Sequence, residues 1–166
     1  MISSFSSVRK LGKSDLNKYT SAYSAALKND PDNLSLNHSI GICYMNLGLY
    51  DKAFNSFEKV IDADPEGSFG YYAAAASLLN GRSAFLSEKK KIDKAIEYLN
   101  AAITIEERGL YHYLMAYIKY DYYKRKYLII QPSFLHHLNN ARTIGISDED
   151  KHALFNILKV DMPNEF

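Results

Sequence analysis

At 166 residues the chain is long enough for one domain that buries about two-thirds of the surface its unfolded form exposes, so a disulfide or metal staple is not required. Lys and Arg number 20 against 19 Asp and Glu, and the resulting charge of +1 excludes a global field that draws the molecule to nucleic acid or anionic lipid; such binding has to come from a local patch. The single cysteine, Cys43, excludes an internal disulfide and a cysteine zinc site and points to a reducing, cytoplasmic setting, and no stretch approaches the ~20 apolar residues of a membrane span, so no membrane partner is expected.

Residues 1–14 are Ser-rich without helical period and read as a flexible tail, followed by a single helical domain over 15–166. Ser14 predicts the cap of a first helix near 15–29. Helices near 34–47 and 50–63 follow, joined by a turn in which Gly48 ends the first. On their facing sides Ile40 and Tyr44 meet Ala53 and Phe57, and Gly41 and Ala53 are small where antiparallel helices approach closely. Pro65 stops the second helix. Asp30-Pro31 returns as Asp64-Pro65, a shift of 34 residues. The next pair, near 67–80 and 87–106, carries an eight-residue insertion at Asn80–Ser87, with Ser87 as the expected cap of the longer helix. A fourth pair spans 109–129 and 133–144, with Tyr crowded between Tyr111 and Tyr127. Gly145 ends it, and Ser147 with Asp148, Glu149 and Asp150 opens a last helix near 148–160, expected to cap the final pair.

Asn37-x2-Ile40-Gly41-x2-Tyr44, Ala53-x3-Phe57 and Pro65 carry the tetratricopeptide spacing, lacking only the Trp that would open it. The segment resembles a tetratricopeptide repeat. That resemblance implies an all-α fold, a right-handed superhelix of antiparallel helix pairs with repeats at about 34–67, 68–109 and 110–144 and the capping helix at 148–160. It also implies that the first helices of successive pairs line a concave groove for a peptide or helix of a partner protein. The corresponding positions are His38, Ile42, Met45 and Asn46, then Phe69, Tyr72, Leu79 and Asn80, then Tyr111, Leu114, Ile118 and Tyr122. The Lys and Asn residues with which some members clamp a partner's terminal carboxylate are replaced here by His38, Ile42, Ala73, Tyr111 and Met115.

Catalytic chemistry finds no support: the carboxylate pairs fall at helix ends, no Gly-rich phosphate loop precedes a Lys, and no cofactor is implied. His38, His112, His136, His137 and His152 lack metal-ligand spacing, so no metal is expected. Two basic clusters, Lys89-Lys90-Lys91 with Lys94 and Lys119 with Lys124-Arg125-Lys126, read as a solvated edge beside aromatic packing and rank nucleic acid below protein as a partner. The expected function is therefore a non-enzymatic protein-interaction module, scaffold or adaptor. A self-associating structural protein is the alternative, motivated by the unpaired first helix and the inserted Ala84-Phe85-Leu86, with a nucleic-acid-binding helical repeat third.

Overall fold

A computed structural model describes residues 4–8 and 11–166. Among the described residues eight α-helices follow one another: α1 Lys13–Leu27, α2 Leu34–Leu47, α3 Tyr50–Ala63, α4 Ser68–Leu78, α5 Lys89–Ile105, α6 Gly109–Ile118, α7 Phe134–Ile144 and α8 Asp148–Leu158. No strand occurs among the described residues. From α1 to α7 each helix packs on the next in sequence, so the pairs α2/α3, α4/α5 and α6/α7 stack into the expected α solenoid.

The α2/α3 pair shows how local chemistry sets this geometry. Asn33 starts α2 by accepting a 3.0 Å hydrogen bond from the Leu36 N–H, satisfying a donor that the first turn leaves open. Gly48 ends the helix at φ 76°, a left-handed conformation that costs a side chain more than it costs glycine. Between them, a Cβ at Gly41 would stand 2.7 Å from the Phe57 ring, which is wholly buried and has no room to yield.

Helices α4 and α6 have no polar side. Tyr72 through Ala76 on α4, and Tyr111 through Ile118 on α6, are all buried, so these helices are covered from both directions. One cover is the second helix of each pair. The other is formed by the two ends of the chain, which corrects one expectation. Residues 4–8 of the expected flexible tail are packed, with a 3-10 turn at Ser6–Val8 and with Phe5 and Val8 in the core; residues 1–3, 9 and 10 of that tail lie outside the described residues. Helix α8 covers the last pair as expected by lying against α6; it also reaches the Ser6–Val8 turn, and the Tyr50 hydroxyl at the start of α3 donates a 2.8 Å hydrogen bond to the Ile157 carbonyl.

Three boundaries also differ. Gly12, not Ser14, stands at the N-cap of α1, and α5 begins at Lys89 with Glu88, not Ser87, at its N-cap, while Ser83 accepts from the Phe85 N–H at the head of the Ala84–Leu86 3-10 turn. The helix predicted over 109–129 is α-helical only to Ile118 and continues as a π turn over Lys119–Lys124. The wider turn buries Lys119, Asp121, Tyr122 and Tyr123 together, a run too dense for one face of an α-helix. Asp121 holds it in place by accepting from the Phe85 N–H at 2.8 Å, from the Tyr117 hydroxyl at 3.3 Å, and from Ser83 and Arg125. Burial pushes the Asp121 carboxyl up, but those donors outweigh it and keep its pKa below the usual value.

The closest approach of α2 and α3 is open to direct test. Gly41→Ala drives a methyl group into the Phe57 ring, and we expect it to lower stability by about 1–3 kcal/mol in urea unfolding, against the modest gain alanine brings to an unhindered helix.

Candidate binding groove

The groove positions lie on α2, α4 and α6, on the π turn, or, for Leu79 and Asn80, just past the end of α4, and the structure separates them by accessibility. Ile42, Met45, Tyr72, Leu79, Tyr111, Leu114 and Ile118 are fully buried and Tyr122 is nearly so, which corrects their expected role as an open lining. His38, Asn46, Phe69 and Asn80 are half-buried. The Asn46 amide is turned onto its own helix, donating 2.9 Å to the Ile42 carbonyl.

Chain ends supply the cover. The Phe5 ring sits 5.6 Å from Phe69, 5.8 Å from Tyr72 and 6.4 Å edge-on from Phe57, measured between centroids. Phe155 of α8 meets Tyr117 edge-on at 5.3 Å and Tyr113 at 6.0 Å, and the terminal Phe166 meets Tyr113 at 5.3 Å. Where the two covers adjoin, a cavity of about 290 Å³ opens among Phe5, Val8, Leu16, Leu47, Ala153 and Asn156. Sequence reasoning missed this filling, although a signal was present: a helix without a polar face has no side to offer to water.

Beyond Phe5 the inner face continues into open space. A cavity of about 150 Å³ is lined by Leu34, Ser35, His38, Val60 and Phe69, with the His38 ring edge-on to Phe69 at 4.7 Å. Burial lowers the His38 pKa, so its ring is neutral at pH 7. Three buried polar atoms, His38 Nε2 beside this cavity and the core hydroxyls Tyr72 Oη and Tyr113 Oη, have no hydrogen-bond partner among the described residues. A buried polar atom left unpaired is costly; of the three, only His38 Nε2 belongs to a residue that lines the cavity, where a bound chain can supply a partner, while Tyr72 and Tyr113 are enclosed.

Other chemically capable groups are committed to structure. Among the described residues no cluster of His, Cys, Asp and Glu is arranged to hold a metal ion. Burial pushes the Cys43 thiol up to about 11, far from nucleophilic range. Between α6 and α7 runs a polar chain. Lys119 donates 2.7 Å to the Pro132 carbonyl and 3.0 Å to His137 Nε2; His137 Nδ1 lies 2.9 Å from His112 Nδ1, and His112 Nε2 lies 3.2 Å from Glu107. Because a Lys ammonium only donates, His137 Nε2 accepts, its Nδ1–H donates to His112, and His112 donates to the Glu107 carboxylate. The His137 ring is thereby neutral. Burial, reinforced by the Lys119 charge and the neighbouring imidazoles, lowers the His137 pKa to about 3.

Acid sensitivity follows. Unfolded, His137 takes up a proton near pH 6.5, whereas the folded ring resists it to about 3, so its contribution is complete above pH 6.5 and is lost as the pH falls through that window. Urea unfolding should show a stability about 2 kcal/mol lower at pH 5 than at pH 7, a slope that His137→Gln reduces.

A family model described as tetratricopeptide repeat matches residues 34–66 and 76–108, about 40% of the chain. Its second match starts eight residues after the start of α4, a displacement equal to the insertion. Over 73 residues, 44% of this chain, the sequence is 32% identical to the BBSome complex member BBS4 of Bos taurus, and it spans only 14% of that protein. Among solved structures, MamA MSR-1 C2 superposes with a TM-score of 0.62 at 20% identity over 84% of this chain and 72% of that one. MamA 41-end from Desulfovibrio magneticus RS-1 gives 0.65 at 17% identity over 84% and 71%. At such identities the likeness is one of fold.

Proposed function

Because the chain is a tetratricopeptide-repeat protein, we propose that it is a non-enzymatic protein-interaction module whose inner face receives an apolar segment of a partner protein. The observation that carries this reading is the seating of Phe5 and Val8 on α2 and α4. A short segment with an aromatic residue and, three positions on, an aliphatic one already fits that face, and it does so with five residues that include the Ser6–Val8 3-10 turn. A partner segment of the same pattern would compete for the Phe5 position and extend into the cavity beside His38 and Phe69, where it can offer a backbone group to His38 Nε2. Aromatic anchors in desolvated pockets supply most of the energy in such interfaces, and Phe69, half-buried and flanked by open space, is suited to meet one. Tyr72 is a poor choice for mutation because its ring is wholly enclosed and its loss would leave a cavity.

An intramolecular occupant lowers apparent affinity by the fraction of time the site is free. A fluorescent peptide of residues 1–12, added to the full chain, should therefore bind the Phe5→Ala, Val8→Ala variant at least about tenfold more tightly than the unaltered chain. Adding Phe69→Ala to that variant should abolish the binding. Equal affinity for all three chains, each shown by circular dichroism to be folded, would overturn the reading.

A further inference from the structure

The two basic clusters, remote in sequence, are brought to one end of the solenoid by the insertion. The Tyr123 hydroxyl on the π turn donates to Asp93 at 3.3 Å, and Asp93 pairs with Lys89 at 2.7 Å, which ties the start of α5 to the π turn. The Phe85 ring of the insertion lies beneath Arg125 at 4.8 Å and Lys126 at 5.1 Å, and Lys126 also stands 3.7 Å over the Tyr122 ring. The near-zero net charge conceals this grouping.

From the same end projects an apolar loop. Tyr127 is 94% exposed and Ile129 91%, with Leu128 about half exposed between them, and across the insertion Leu86 is 66% exposed. Tyr127 takes a positive φ of 57°, unfavourable for a residue with a side chain, and its amide is tied to the Lys124 carbonyl at 3.1 Å. Lys90 and Lys124 are exposed and have no carboxylate within ion-pair distance among the described residues; the acids nearby are Glu88, Asp93, Asp121 and Glu165, of which Asp93 faces Lys89 and Asp121 faces Arg125.

We propose that this end of the molecule docks on an anionic lipid surface, with Tyr127, Leu128 and Ile129 entering the interface and Lys90, Lys124 and Lys126 meeting the headgroups. The shape favours a fluid surface: the loop is a protrusion, which an interface can accommodate without a matching pocket. The residue types agree, since Tyr belongs at headgroup depth, Leu and Ile below it, and Lys stems reach back to the charged layer. Single-stranded nucleic acid fits less well because Tyr122 and Tyr123 are buried, leaving Tyr127 as the exposed ring of the cluster, and the aliphatic pair has nothing to stack on. Docking differs from spanning: no helix among the described residues is long and apolar enough to cross a membrane. The surface is separate from the inner face, so the two readings stand or fall independently.

The sequence contains no Trp, so Tyr127→Trp installs a single reporter at the tip of the loop. With vesicles of phosphatidylcholine plus phosphatidylserine its emission should shift to the blue and the chain should co-sediment; with phosphatidylcholine alone it should do neither. Binding should fall at least about fivefold on raising salt from ~0.1 M to ~0.5 M, in a Lys90→Gln, Lys124→Gln, Lys126→Gln variant, and in a Leu128→Ser, Ile129→Ser variant. These side chains are at the surface, so unchanged helicity is expected and is checked by circular dichroism. No co-sedimentation of the unaltered chain, or binding that the Leu128→Ser, Ile129→Ser variant retains in full, overturns the proposal. So does a blue shift produced by protein concentration alone, which reassigns the loop to contact between copies, or preferential binding of a single-stranded oligonucleotide.

Discussion

The absence of a polar face on α4 and α6 is the constraint on which the rest of this structure depends. A helix that is apolar all round must be enclosed. In a stack of helix pairs the second helices enclose one side only, and three pairs are too few to curl around and shelter the other. The chain meets the need with its own ends: Phe5 and Val8 cover α2 and α4, while Phe155 and Phe166 cover α6. The tyrosine-rich stretch is explained in the same way. Tyr113 and Tyr117 are the surface against which α8 and the C-terminus pack, rather than part of an exposed binding site.

Much of the fold was legible because its determinants are local. The Asp-Pro recurrence, Gly41 opposite Phe57, Gly48 at a helix end and Ser147 ahead of three acids each act within a few residues, so α2, α3 and α8 could be bounded closely. The departures lie where distant segments decide. Asp121 binds the insertion, nearly 40 positions away, and with that contact the helix widens into a π turn instead of running on to 129. Nothing near Phe5 announces that it reaches the inner face, since the Ser-rich surroundings of that residue have neither helical nor strand period. The groove positions were identified from a repeat pattern that states which residues point inward; it does not say whether another part of the chain already lies there.

Electrostatics shows the same division. A count of charged groups sums to nearly zero and gives no sense of their arrangement, yet the fold collects lysines from two helices around one projecting loop and withdraws Lys119 into the interior. There Lys119 loses water and its pKa falls, while the Pro132 carbonyl and His137 supply the acceptors it needs. The chain of donors running from Lys119 through His137 and His112 to Glu107 has a single direction. Sliding α7 by one turn along α6 would break the links from His137 to both Lys119 and His112, so the polar chain helps set the register of the last pair.

An open solenoid is nearly one-dimensional: each repeat touches only its neighbours, and the ends can fray while the middle holds. The hydrogen bond from Tyr50 to Ile157 joins positions 107 residues apart, and α8 and the Ser6–Val8 turn touch where they cross the inner face. These contacts turn the stack into a closed circuit. Loss of either end exposes the apolar inner face of several helices together, which couples the repeats to one another beyond their nearest neighbours.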